Sequence, residues 1–333
     1  MTIVPADAQP SLLARIAATE RPDLIVLIGY GDELAVFRHA RALWQFYVSH
    51  FPRVEVIFTR STNQLARGEV RMEGNDLLVG LGKDFDGAAG YAASGVWSIS
   101  ENAKWIFRQM MVQDYLLRTR ERPFFLYHTT ATSVVDFRAL GTVLDRLPAT
   151  DCYAGPIGRL NAPADLAGLT FCSGASTLMS RDVLVRLRER YDPAHAACQL
   201  PNDIWQAVLL DDVARTALPT FNFIKTRAPR AAGAPIAMLA KLLLQQGHFH
   251  FRVKTVEPAD AAGRREDVDP WIMLRIMEAV LDSEPVPAAT LALMDHCAHM
   301  LDHSDGRPLP PRTATPLSAG ARTLPLNDLE IDA

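Results

Sequence analysis

The sequence predicts an α/β fold, a mostly parallel central sheet with flanking helices. Three observations predict it. Short apolar runs such as Leu24–Ile28 lack the alternation of a sheet with one wet face. Stretches of helical periodicity separate those runs. Length and composition allow a large core. The chain has 333 residues, 49% hydrophobic and 22% charged, ordinary globular values, and a chain of this size buries about 75% of its unfolded surface.

Each element follows from local pattern. Leu24-Ile25-Val26-Leu27-Ile28 is a buried strand ending at Gly29, and Val36, Ala40, Leu43 and Tyr47 follow at helical spacing. Val54–Phe58 is a second strand and Asp76–Val79 a third. Gly80–Gly95, rich in Gly and Ala, reads as a loop. Asn102–Leu117 reads as a helix and Phe124–Tyr127 as the fourth strand. Asp136–Arg146 is helical and stops before Pro148. Phe171-Cys172 opens a Ser/Gly turn over 173–176, and Ser180 starts a capped helix. Asn202–Leu210 is helical, with Asn202 or Asp203 near its N-terminus. Phe221–Ile224 is a short strand, Pro270–Leu281 a helix with an early proline, and Thr290–Asp302 another helix. Residues 1–22 read as an arm, 23–303 as one domain, and 304–333 as a Pro-rich tail expected to be disordered.

Charge and cysteine usage narrow the class. Lys and Arg total 34 against 38 Asp and Glu, a net charge of −4, so no global field favours nucleic acid, and none is expected as a partner. The four cysteines, Cys152, Cys172, Cys198 and Cys297, show no metal or redox spacing and read as reduced packing thiols. Met1–Pro10 lacks the basic start and apolar run of a signal peptide. No apolar run approaches the ~20 residues of a membrane span. A cytoplasmic location is expected; peripheral membrane association and homo-oligomerisation stay open.

Several segments carry a resemblance. They are Arg38-His39-Ala40-Arg41-Ala42-Leu43-Trp44, Phe58-Thr59-Arg60, Asn75-Asp76-Leu77-Leu78, Lys83-Asp84-Phe85-Asp86, Trp105, Phe171-Cys172-Ser173-Gly174-Ala175-Ser176-Thr177-Leu178-Met179-Ser180 and Asn202-Asp203-Ile204-Trp205-Gln206-Ala207. In this order they resemble the inverting β-1,3-glycosyltransferases that include the Fringe and β-1,3-galactosyltransferase enzymes. The first segment matches an Arg-x-Thr-Trp element with Leu43 for threonine, and the last matches a Glu-Asp-Val-Tyr block. The resemblance implies a GT-A-like domain around a Rossmann-like sheet. It implies transfer of a hexose from a UDP-sugar to a glycan, lipid-linked glycan or other hydroxyl acceptor, with a β-linkage, in polysaccharide biosynthesis. It makes Asp203 the general base and places donor contacts at Gly29, Tyr30, Arg38, Arg41, Thr130, Thr132, Ser173 and Gly174. The family's metal-binding Asp-Asp-Asp run falls on Thr130-Ala131-Thr132, which holds no acid. The chain thus resembles a bacterial-type member without the Asp-x-Asp acids. No metal ligand is assigned, and a divalent ion (Mn or Mg) is left open, with His250 and Asp84 the first candidates.

Each candidate also has a plainer reading. Asp203 caps a helix if it is not a base. Gly29-Tyr30-Gly31 sits where a doubly wound sheet receives a nucleotide, or is a plain turn; it is no Gly-x-Gly-x-x-Gly fingerprint. Arg38 and Arg41 share a helix face, for a diphosphate or for solvent. Asp84-Phe85-Asp86 is a relocated metal site, an acceptor contact or a solvated loop. Ser173–Ser176 lines a sugar or merely turns. If extended, His248, His250, Arg252 and Lys254 share one face. Lys225, Arg227, Arg252 and Lys254 could neutralise a departing diphosphate in a metal's place, or form a solvated edge. His296, His299 and His303 suit a solvated or oligomer-contact face. The alternative to an enzyme is a non-catalytic sugar-nucleotide- or glycan-binding or assembly protein of the same fold.

Overall fold

Apolar runs without alternation bury both faces of a strand, and the structure, a computed structural model, uses them so. It describes residues 22–30, 35–81, 99–160, 166–224, 233–254 and 265–282. Strands β1 (Asp23–Gly29), β2 (Glu55–Thr62), β4 (Asp76–Gly80) and β5 (Phe124–Thr130) run parallel, in the order β5-β1-β2-β4. The hairpin strand β3 (Val70–Glu73) closes one edge antiparallel to β4. Beyond β5 lie β10 (Ser176–Ser180), β7 (Tyr153–Gly155) and β11 (Arg215–Ala217), in that order. Strand β10 is antiparallel to both neighbours. The fold is α/β, a mostly parallel sheet with flanking helices.

Alternate residues divide the interior into two cores. Val26, Ile28, Phe58 and Tyr127 face α1 (Ala35–Val48), α3 (Phe137–Leu144), α6 (Gly233–Gln245) and α7 (Arg265–Leu281). Ile25, Leu27, Ile57 and Leu77 face α2 (Ile99–Thr119), α4 (Arg181–Arg190) and α5 (Asn202–Leu209). The link from β1 to β2 therefore crosses one face, through α1, and the link from β4 to β5 crosses the other, through α2. That reversal makes the C-terminal ends of β1 and β5 a topological switch point, the place where open α/β sheets bind ligands. A small sheet, β12 (Thr220–Ile224), β13 (His250–Lys254) and β6 (Ser133–Val135), continues from the end of β5. Strands β8 (Ile157–Arg159) and β9 (Thr170–Cys172) form a hairpin before β10.

Several expectations are corrected in detail. Strand β2 extends to Thr62 and β5 to Thr130, because polar residues at the ends still find ladder partners. The stretch 176–180, expected to end a turn and start a helix, is a fully buried strand. Ser180 stands at the N-cap of α4 without a capping bond. Its hydroxyl donates to Asp182 instead (2.6 Å) and accepts from the Cys152 N–H (3.0 Å). Asp136 does cap α3, accepting from the Arg138 N–H at 2.9 Å. Pro270 lies inside α7 rather than at its first turn, so the helix starts earlier and forgoes one N–H bond. Cys152, Cys172 and Cys198 are buried free thiols, and burial pushes Cys152 up to about 12. Among the described residues no helix is long and apolar enough to cross a membrane. The arm through residue 21, Gly31, the Asp84-Phe85-Asp86 loop, Lys225, Arg227, the Thr290–Asp302 stretch and the tail lie outside the described residues.

Candidate active site

At the C-terminal end of β5, Asp203 comes from the first turn of α5. The N-cap is Pro201, which offers no side-chain bond. The carboxylate serves the local backbone in two ways. Its Oδ1 accepts from the Ile204 N–H (3.1 Å) and its Oδ2 from the Gly174 N–H (3.4 Å). Gly174 belongs to a tied turn. The Ser173 N–H donates to the Pro156 carbonyl (2.9 Å), and the Ser173 carbonyl accepts from the Ser176 N–H (3.0 Å) and the Thr177 hydroxyl (2.7 Å). Asp203 is thus held between a helix start and a rigid turn, half-buried. It is both a residue of the helix start and a carboxylate bonded to the turn before β10.

Behind that turn lie residues that motif reading missed. His128 is on β5 and buried. Burial, and then the neighbouring Arg108 guanidinium, pushes His128 down to about 4, so the ring is neutral near pH 7. Arg108 comes from α2, stacks on Trp105 at 3.7 Å and donates to the Tyr30 carbonyl (3.5 Å). The available signal was composition: Arg108, Gln109 and Gln113 are buried polar residues on a helix that otherwise buries Ile106, Met110 and Val112.

The turn after β5 is the stretch where the resemblance would put metal-binding acids. The Thr130 hydroxyl pairs with the Ser133 hydroxyl (2.9 Å). The Ala131 carbonyl accepts from the Trp44 indole N–H (2.9 Å), and the Thr132 carbonyl from the Val253 N–H (2.8 Å). Hard cations need carboxylate or free carbonyl oxygens, and these oxygens are engaged. The residues of this turn do not fit a divalent ion. Among the described residues no group of three or more His, Cys, Asp or Glu is placed to hold one. Strand β13 sets Arg252 in register with Ser133, and Lys254 follows on the same face of the strand, both half-buried. His250 lies on that same face of β13 but is buried. Its Nδ1 meets the Tyr127 hydroxyl at 2.6 Å, which also meets the Ser176 hydroxyl at 2.6 Å. Burial, and then Arg252, pushes its pKa down to about 3.

At the end of β1 the predicted donor residues have protein partners. The Tyr30 hydroxyl donates to Asp76 (2.8 Å), and Arg41 pairs with the other Asp76 oxygen while lying over the Phe58 ring at 4.6 Å. Arg38 is exposed. Gly29 is tight because of α2: a Cβ there would stand 2.8 Å from the Trp105 ring. A separate cleft of about 450 Å³, lined by Phe51, Val54, Phe137 and Arg138 among others, lies near the N-terminal end of β2, away from these residues.

No family model matches the chain, and no curated protein matches it in sequence. Among solved structures the fold is similar to that of a glycosyltransferase involved in the glycosylation of the major capsid of PBCV-1, at 8% identity and a TM-score of 0.40, over 76% of this chain and 100% of that one.

Proposed function

We propose that this chain is an inverting glycosyltransferase that moves a sugar from a UDP-sugar to a hydroxyl of a glycan or lipid-linked glycan, forms a β-linkage and needs no divalent ion. One observation supports the reading: Asp203 is a carboxylate held by the backbone of the Gly174 turn, and β13 sets Arg252 in register with Ser133, just past the C-terminal end of β5. The acceptor hydroxyl gives its proton to Asp203. Its oxygen attacks the anomeric carbon from the side opposite the diphosphate, and the bond from that carbon to the phosphate oxygen breaks. UDP leaves with the electron pair, and fixed positive charge stabilises it as a metal would. Lys225 and Arg227 remain further candidates for that charge.

A panel of UDP-sugars, assayed for transfer and hydrolysis with and without EDTA, tests the reading. Turnover that survives EDTA is expected; full loss restored by manganese would overturn the metal-free part. Asp203→Asn should lower kcat by about 10²–10⁴-fold and leave UDP affinity nearly unchanged, since the amide oxygen can still accept from Gly174. A variant with wild-type turnover removes the base assignment. The absence of any acid in Thr130-Ala131-Thr132 favours a second reading, a sugar-nucleotide- or glycan-binding protein without catalysis. UDP-sugar binding in calorimetry with no turnover for any donor would select it.

A further inference from the structure

We propose that the cleft of about 450 Å³ near the N-terminal end of β2 is the docking site of this chain's own C-terminal segment 290–302, bound as an amphipathic helix. The cleft's lining combines apolar and basic residues. Phe51 and Val54 come from the turn after α1, Phe137 and Arg138 from the first turn of α3, and Leu281 from the last turn of α7. Arg53 also lines it and is exposed. Arg138 holds the end of α7 by donating to the Val280 carbonyl, and it lies 3.6 Å from Asp136. Next to the cleft Phe46 is 59% exposed, its ring edge-on to the lining residue His50 at 5.2 Å. The volume falls in the roughly 300–1,000 Å³ range of sites that bury a ligand. Apolar surface of this kind, bordered by charge, marks an interaction site.

The point where the chain leaves the fold argues for this occupant. Leu281 is part of the cleft. The next residue, Asp282, is held by Lys241 of α6 and by its own N–H on the Glu278 carbonyl (2.9 Å). The chain therefore departs from the cleft's wall. Pro285 and Pro287 keep α7 from continuing. Eight residue steps join Asp282 to Thr290 and span at most about 29 Å, so the segment stays within reach. At helical spacing Leu293, Met294, Cys297, Met300 and Leu301 share one apolar stripe, with Asp295, His299 and Asp302 on the opposite side. A helix this short is marginal in water and takes its stability from packing that stripe on a surface. Asp295 and Asp302, two turns apart, border the stripe on one side and complement Arg53 and Arg138 in charge.

The experiment reads Cys297, the segment's own thiol, since Cys152, Cys172 and Cys198 are buried in the fold. In the intact chain Cys297 should react with a chromogenic aryl disulfide at least tenfold slower than in a synthetic peptide of residues 286–303, at every protein concentration, because reaction waits for local opening. Val54→Arg puts a charge among the cleft's apolar side chains. It should bring the rate within about threefold of the peptide's while the three buried thiols stay unreactive, the sign of a folded variant. If that variant does not fold, Leu293→Asp combined with Leu301→Asp, both confined to the segment, takes its place. A nitroxide fixes the location. Attached to His299→Cys in a Cys297→Ser background, it should broaden the amide signals of Phe51, Val54 and Leu281 within one chain. It should broaden none when spin label and isotope sit on separate chains that are mixed. Equal reactivity of Cys297 in chain and peptide, protection that survives the substitutions, or broadening at another surface would overturn the proposal. Broadening in the mixed sample would overturn it too, and would make a second copy of the chain the occupant.

Discussion

Asp76 shows how one residue decides what its neighbours can do. It accepts from Tyr30 and Arg41 together, and its side chain and that of Arg41 are only 21% and 17% exposed. Asp76→Ala leaves a buried phenol and a mostly buried guanidinium without this acceptor. We expect a loss of about 1–3 kcal/mol in chemical denaturation, with Tyr30→Phe costing less. A neutral Asp76→Ala would show that the pair behaves as a surface ion pair. Gly29→Ala should also destabilise, by about 1–3 kcal/mol, because its Cβ would press on Trp105. The sequence placed Gly29, Tyr30 and Arg41 at the C-terminal end of β1. It could not say whether they faced a ligand or one another, since their partners Asp76 and Trp105 are distant in the chain.

Among elements, the turn after β5 and the hairpin at the sheet edge separate two kinds of constraint. Trp44, on α1, reaches across to the Ala131 carbonyl and so ties that helix to the turn beside Arg252. Trp44→Phe keeps most of the packing and removes the donor. It should cost about 1–3 kcal/mol for the stranded carbonyl and weaken UDP binding if the turn lines the donor site. A lowered melting temperature with unchanged UDP affinity would separate this turn from the donor. In the β3–β4 hairpin Gly74 sits at φ +63 with nothing within 4 Å of a Cβ position. Gly74→Ala should therefore cost about 1–2 kcal/mol from backbone strain alone, and a melt of that variant isolates the term. The Asn and Gly before β4 were visible in the sequence, but a strand with no apolar run, Val70–Glu73, was not; it is an edge strand that alternates half-buried and exposed residues.

For the whole molecule, the two faces of the sheet each carry a buried neutral histidine, His128 on the α2 side and His250 on the α6 and α7 side. Both have folded pKa values below the usual 6.5, at about 4 and about 3. The unfolded chain takes up protons on them first as pH falls below about 6.5, while the native state resists. Stability should therefore drop between about pH 6.5 and 4, by up to about 1.4 kcal/mol per pH unit for each histidine. It should stop depending on His128 below about 4 and on His250 below about 3. Urea titrations at pH 7, 6 and 5 check this. The drop should shrink in His250→Gln, and an identical slope in that variant would refute the assignment.

The sequence by itself determined the class of fold and the order of its parallel strands' apolar runs, because burial on both faces leaves a local signature in Leu24–Ile28 and Phe124–Tyr127. It also determined the helix that follows Asp136 and the helix that begins beside Asp203, since helical periodicity is local. Only the tertiary structure decided that β10 inserts antiparallel between β5 and β7, because pairing partners far apart in the chain leave no local mark. It alone turned His250 inward to Tyr127 and set Arg252 beside Ser133, since alternation along β13 says which residues share a face, not which face meets the core. Likewise His128 became visible only in the tertiary structure, buried on β5 beside Gln109 and Gln113 of α2, and a contact between segments that distant follows from packing rather than from neighbouring residues.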